Sequence, residues 1–202
     1  ADIQRGVTPF QVTEQEAPVN SRRAFVGTVR RYTIERGEQR FIRYDQTLAE
    51  FKPLRYFTGT RILLREMISR QMRLQGCITE QEFITNKSMQ SILPIKDGPD
   101  LWVILAVLNS RLVSWYFLQC SNVGHRDDFP KIVLKETRKL PFPSNSSKLD
   151  EQYLKRLVTR ILAAKASDPA ADTSALEREI DEIVYRLYGL TEEEIRIVEG
   201  GQ

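Results

Sequence analysis

The stretch Leu101-Trp102-Val103-Ile104-Leu105-Ala106-Val107-Leu108-Asn109-Ser110-Arg111-Leu112-Val113-Ser114-Trp115-Tyr116-Phe117-Leu118-Gln119 organises the chain. Its side chains are apolar almost all round a helical projection, so it reads as one largely buried helix. Gly98-Pro99 breaks the chain before it, and Asp100 is a good N-cap. A membrane span needs about 20 predominantly apolar residues. This run carries Asn109, Ser110, Arg111 and Ser114, and a charge near the centre of a span is costly. A core helix is the expectation.

Beyond it, Gly124 to Asp128 is a polar loop and Phe129 to Pro143 is mixed, ending in Leu140-Pro141-Phe142-Pro143. Two prolines at that spacing preclude helix and favour an extended strip. Ser144-Asn145-Ser146-Ser147 reads as a linker. From Asp150 to Ala166, Tyr153, Leu154, Leu157, Val158, Ile161 and Leu162 fall at helical spacing. A second helix carries Leu176, Ile180, Ile183, Val184 and Leu187, with Ser174 and Glu177 as a capping box and Gly189 as its left-handed stop. Thr191 with Glu194 opens a short final helix. Helix–helix packing accounts for these apolar residues.

Ahead of the core helix the chain reads as short strands and turns. Thr33-Ile34 and Phe41-Ile42-Arg43-Tyr44 flank Glu35-Arg36-Gly37-Glu38, which suggests a hairpin with a charged tip at Arg36 to Arg40. Arg61-Ile62-Leu63-Leu64-Arg65 reads as a central strand. Gly76 to Thr79 and Glu82 to Thr85 read as a second pair, and Ser91-Ile92-Leu93 as a strand stopped by Pro94.

The 202 residues suffice for one domain, or one domain with a helical appendix. Hydrophobic residues are 41% and charged residues 28%, a globular composition. Two cysteines and one histidine exclude a disulfide scaffold and a zinc finger. Cys77 and Cys120 lie in mainly apolar surroundings and read as buried structural thiols. The first residues have no apolar run like that of a signal peptide, so a cytoplasmic protein without a membrane partner is expected.

Charge divides the chain. Through Pro141 there are 22 Lys+Arg against 15 Asp+Glu, and from Phe142 onward 8 against 12. Residues 22–73 hold 13 basic against 5 acidic residues, and all but Lys52 of the basic ones are arginine. The planar guanidinium fork grips phosphate, or the O6/N7 edge of guanine, with two bonds. This stretch reads either as a nucleic-acid face or as a solvated surface laced with ion pairs.

Catalytic patterns are missing. No Gly-x-Gly-x-x-Gly, P-loop or Gly-x-Ser-x-Gly elbow occurs. His125 sits in Gly124-His125-Arg126-Asp127-Asp128, which reads as a metal or acid/base site or as a solvated turn; no further ligand cluster is visible. There is no Asn-Pro for an adenine-gripping Asn-Pro-Pro-Tyr motif, and no Glu-x-Lys follows Pro99-Asp100 as a nuclease core requires. The chain reads as a binding module with no catalytic residues and no metal.

Four segments in order carry a resemblance. They are Gln4-Arg5-Gly6-Val7-Thr8-Pro9-Phe10, Thr60 to Met67, Ile104 to Phe117 with its Leu-Asn-Ser, and Phe129-Pro130-Lys131-Ile132 followed by Leu140-Pro141-Phe142-Pro143. Together with the ending Ile180 to Thr191, they resemble the TaqI-like C-terminal specificity domain. That family supplies target recognition to adenine-N6 DNA methyltransferases, including type IIG restriction–modification enzymes and related phage-defence methylases.

The resemblance implies an α+β fold. A strand-rich DNA target-recognition domain at 1–143 with one buried helix would be followed by a C-terminal helical hairpin and tail at 144–202. It implies double-stranded DNA as partner and a companion methyltransferase domain upstream. That domain, not this chain, would hold S-adenosylmethionine and flip the adenine out of the stack. The candidate DNA-binding residues are Arg22, Arg23, Arg30, Arg31, Arg36, Gln39, Arg40, Arg43, Asn86, Lys87 and Gln90. Arginines would anchor phosphates or reach guanine, and Gln39, Asn86 and Gln90 would read adenine. The acidic helical hairpin is expected to face away from DNA. Rival readings are a free-standing specificity subunit of a type I-like system, a protein-interaction module docking through Tyr185 to Val198, and an enzyme using His125 with Asp127 or Asp128.

Overall fold

A computed structural model describes residues 2–121, 130–143 and 146–200. Among the described residues, nine strands and six α-helices build an α+β fold, strand-rich first and helical last. One antiparallel sheet of four strands is central. Its order is β1 (Asp2–Arg5), β9 (Met89–Leu93), β7 (Arg61–Arg65) and β8 (Gln75–Thr79). Two smaller sheets join β2 (Val12–Thr13), β6 (Arg40–Arg43) and β3 (Ser21–Ala24), and β4 (Gly27–Arg30) with β5 (Thr33–Arg36).

The central sheet is covered on both faces, which explains the unbroken apolar run in β7. Ile62 and Leu64 point into a core with the helices, whereas Leu63 joins Cys77, Met89, Phe25, Val29 and Phe83 on the other face. A strand buried on both faces loses the alternation of a half-exposed one. Burial pushes the Cys77 thiol up to about 12, so it is an inert packing group, as expected. Cys120 is exposed, contrary to expectation, because it ends its helix.

The expected single helix is two. α1 (Leu101–Asn109) and α2 (Arg111–Cys120) meet at Ser110 with a bend of 62°. Asp100 caps α1, accepting from the Trp102 N–H at 2.8 Å. Ser110 has extended ψ of 157° and serves both helices: its hydroxyl donates to Val107 O at 2.7 Å and accepts from Val113 N. Buried Asp181 fixes the break by accepting the Arg111 N–H at 2.7 Å. Among the described residues no single helix is long and apolar enough to cross a membrane.

α4 (Lys148–Ser167), α5 (Ser174–Leu187) and α6 (Glu192–Val198) form the C-terminal hairpin and tail. The α6 capping box is present in both directions, and Gly189 has φ of +67°. At α5 the cap moves one residue: Thr173 precedes the helix and its hydroxyl donates to Glu177. Leu154, Leu157, Val158 and Ile161 of α4 and Ile183 and Val184 of α5 lie in the same cluster as Ile62, Leu64 and Leu105. The strand-rich part and the helical hairpin therefore share one core.

Other expectations change too. β5 pairs with β4 across the turn Arg31-Tyr32, not with the strand after Gly37; β6 pairs with β2 and β3 instead. Tyr32 takes φ of 62° and buries its ring, while its N–H donates to Gly76 O at 2.9 Å. Packing therefore places the turn where no glycine or asparagine signals it. Residues 82–85 do not pair with β8. Their backbone bridges to β3 at Ala24↔Ile84, and β8 pairs with β7. A one-turn helix α3 (Leu134–Thr137) lies in the mixed segment, ahead of the Leu140–Pro143 strip, which is non-helical as expected.

Candidate nucleic-acid interface

A cleft of about 720 Å³ opens where β3, the β5–β6 connection and residues 81–83 converge. It gathers Arg22, Arg23, Arg36, Gln39 and Arg40, five of the residues singled out by sequence. β3 contributes Arg22 and Arg23, both exposed. Arg36 ends β5, and Arg40 opens β6 opposite Ala24. The presumed hairpin tip, Arg36 to Arg40, is thus a connection between sheets that forms one wall of the cleft.

Aromatic residues floor the cleft. Phe83 stacks on Phe25 with centroids 4.9 Å apart. The Arg36 guanidinium lies 5.5 Å from the Phe83 centroid and that of Arg61 lies 5.0 Å away. Such contacts hold a guanidinium without neutralising it. Arg61 is fully buried and donates to Gly59 O and Gln81 O at 2.9 and 2.8 Å. Desolvation lowers its pKa to about 10, still cationic at neutral pH. It braces the 81–83 segment from behind.

Carboxylates oppose the cleft arginines. Glu82 accepts from Arg22 at 2.9 Å, and Arg40 pairs with Glu38 and, at 3.4 Å, with Glu14. Arg22 and Glu82 are each nearly half exposed. Exposed pairs contribute only about 0–1 kcal/mol, so exchanging them for a ligand costs little. Arg23 has no side-chain partner among the described residues, and the Gln39 amide is exposed. The cleft therefore offers donors and acceptors side by side. Glu82 and Phe83 were missed by sequence reading because their segment resembled an ordinary strand.

The remaining candidates lie elsewhere. Arg30 pairs with Glu35 within the β4–β5 hairpin, and Arg31 reaches Glu177 on α5 at 2.9 Å. Arg43 holds Asp45 at 2.7 Å on the far end of β6. Lys87 is exposed, but Asn86 closes its own turn, accepting from Ser88 N at 2.9 Å. Gln90 is a correction: it is fully buried, with its amide donating to Ile132 O at 2.8 Å, so it cannot face a ligand. It lies in β9 of the central sheet, where both faces are covered. His125, Asp127 and Asp128 lie outside the described residues. Among the described residues no group of three His, Cys, Asp or Glu could hold a metal.

The motif residues are structural. A Cβ on Gly6 would lie 2.1 Å from Thr85 O, so only glycine fits there. Asn109 clamps Gly76 twice, accepting its N–H at 2.9 Å and donating to its carbonyl at 3.0 Å. Tyr188 donates to Pro141 O at 2.9 Å, pinning the Leu-Pro-Phe-Pro strip to the end of α5.

The sequence model of the TaqI-like C-terminal specificity domain matches residues 23–142, more than half of the chain, and the chain belongs to that family. It is 25% identical over 164 residues to the putative type II restriction enzyme and methyltransferase RM.MjaORFECS2P of Methanocaldococcus jannaschii, covering 80% of this chain. Its fold also matches the type IIL restriction–modification enzyme MmeI, solved in complex with DNA, with a TM-score of 0.58 over 90% of this chain. At 14% identity that likeness is one of fold alone. The chain spans 14% of the first relative's length and 30% of the second's.

Proposed function

We propose that this chain reads a short double-stranded DNA sequence for a companion methyltransferase domain that modifies adenine at N6, as in type IIG restriction–modification enzymes of phage defence. The chain supplies no catalytic residue. S-adenosylmethionine belongs to the companion domain, and this chain grips the duplex beside the target adenine. The observation that carries the reading is the cleft where Arg22, Arg23, Arg36, Gln39 and Arg40 converge with Glu82. Base edges in the major groove present both donors and acceptors. A reader needs both kinds of group, whereas a phosphate anchor needs only cations. Family membership and the DNA-bound fold neighbour support the same reading.

The test is a competition assay with single-base variants of the parent enzyme's target duplex. Arg22→Ala should relax discrimination at one position by about 1–3 kcal/mol, and leave other positions unchanged. Equal weakening at every position would make Arg22 a phosphate anchor. No effect at all would remove the cleft from recognition.

A further inference from the structure

A second groove, of about 670 Å³, opens at the turn of the β4–β5 hairpin. It is lined by Arg30 and Arg31 from that hairpin, Arg65 and Arg70 from β7 and the loop after it, and Lys165 and Glu177 from the helical hairpin. Five cations and one carboxylate line it, a net +4, with Arg31 paired to Glu177 and Arg30 to Glu35 of its own hairpin; four cations with Glu16, Glu38 and Glu82 line the first cleft, a net +1. The arginine-rich stretch thus divides into two chemically different surfaces.

Resting on the DNA-reading proposal, we infer that this second groove is the track for the sugar-phosphate backbone, and that the first cleft reads bases. Phosphates need cations free of competing carboxylates. Arg70 is exposed and Arg65 bonds only to the Met67 sulfur, at 3.4 Å, so neither has a carboxylate partner among the described residues. Lys165 is held by the carbonyls of Pro169 and Ala171, which orient it without neutralising it. The loop carrying Arg70 is preformed: the Ser69 N–H donates to Arg73 O at 3.0 Å, the Met72 N–H donates to Ser69 O at 2.9 Å, and the Ser69 hydroxyl accepts the Arg73 N–H at 3.1 Å. A neighbouring cleft shares Arg31, Lys165 and Glu177 and adds Arg73, Arg111 and Arg178 with Asp172 and Asp181, a net +2 in which Asp181 pairs with Arg73 and Arg111, so a smaller excess of cations continues onto the helices. Two of the eight cations of the net-acidic tail, Lys165 and Arg178, therefore lie on this side. The β4–β5 hairpin joins the two surfaces, with Arg30 at its turn in the groove and Arg36 at its open end in the cleft. Four-residue strands separate these ends by about 10 Å.

The test is the salt dependence of binding of the 202-residue chain to mixed-sequence duplex DNA. Each phosphate contact adds about 0.9 to the slope of log K against log salt. Arg70→Ala and Arg65→Ala together should flatten that slope by about 2, lower affinity alike for all sequences, and leave sequence preference intact. Arg70→Lys should restore its share. Arg70 is exposed, so Arg70→Ala alone keeps the test valid if Arg65→Ala disturbs β7. An unchanged slope, with the unaltered chain binding DNA, overturns the track but not the reading cleft. No salt-dependent binding by the unaltered chain overturns both.

Discussion

At the scale of single residues, Asn109 shows what the Leu-Asn-Ser signature is for. Its amide replaces a strand neighbour for Gly76, closing both backbone bonds at the end of α1. Leaving a buried donor or acceptor unpaired costs about 1–3 kcal/mol, and Asn109→Ala strands the Gly76 N–H, while the Gly76 carbonyl keeps its bond from the Tyr32 N–H. Chemical denaturation should therefore show a loss of about 1–3 kcal/mol; no measurable loss would mean that water satisfies the site. Asp45 allows a signed pH test. The Thr47 hydroxyl, then Arg43, then the Thr47 N–H hold its carboxyl below the usual carboxylate range. A depressed folded pKa stabilises above the unfolded value, near ~3.9, and that contribution is lost as pH falls through the folded value. Asp45→Asn should flatten the dependence of Tm on pH in the acid limb and leave it unaltered above about pH 5. An unchanged acid limb would show that these bonds do not persist in solution.

Elements were unevenly legible. β7, β9, the caps of α1 and α6 and the Gly189 stop follow from local chemistry, and each occurs as expected. The β4–β5 hairpin did not, because its turn obeys tertiary packing. Gly37 attracts a turn assignment, yet Tyr32 makes the turn by burying its ring beside Asn109 and α5. Tyr32→Gly separates the two causes. Glycine relieves about 1–2 kcal/mol of left-handed strain, but losing a buried aromatic ring costs about 3–5 kcal/mol. A net loss of about 1–4 kcal/mol is expected. A stabilised protein would mean that turn propensity, not the ring, sets the hairpin. The bend at Ser110 was equally hidden, since Asp181, which fixes it, lies 70 positions away.

At the scale of the molecule, charge counts located the basic half but not its division into cleft and groove. Arg31, Arg65 and Glu177 belong to different sequence regions and line one groove only in the fold. Linker composition suggested a boundary after Pro143, but the core runs across it. Leu154, Leu157, Val158 and Ile161 are fully buried against the rest. At about 1.5–3 kcal/mol each they contribute roughly 6–12 kcal/mol, as much as a whole domain's net stability. A chain ending at Pro143 should therefore lose its cooperative unfolding transition. If the truncated protein melted cooperatively near the parent Tm, the shared core would be refuted.

The central claim is that this fold reads DNA sequence, and selection from a random duplex pool tests it most directly. The 202-residue chain is immobilised, retained duplexes are amplified over several rounds, and their sequences are compared with the input. One enriched motif is expected, lost at a single base position in the Arg22→Ala chain and retained in Arg70→Ala despite weaker capture. A retained pool no different from the input, or no retention at low salt, would contradict it.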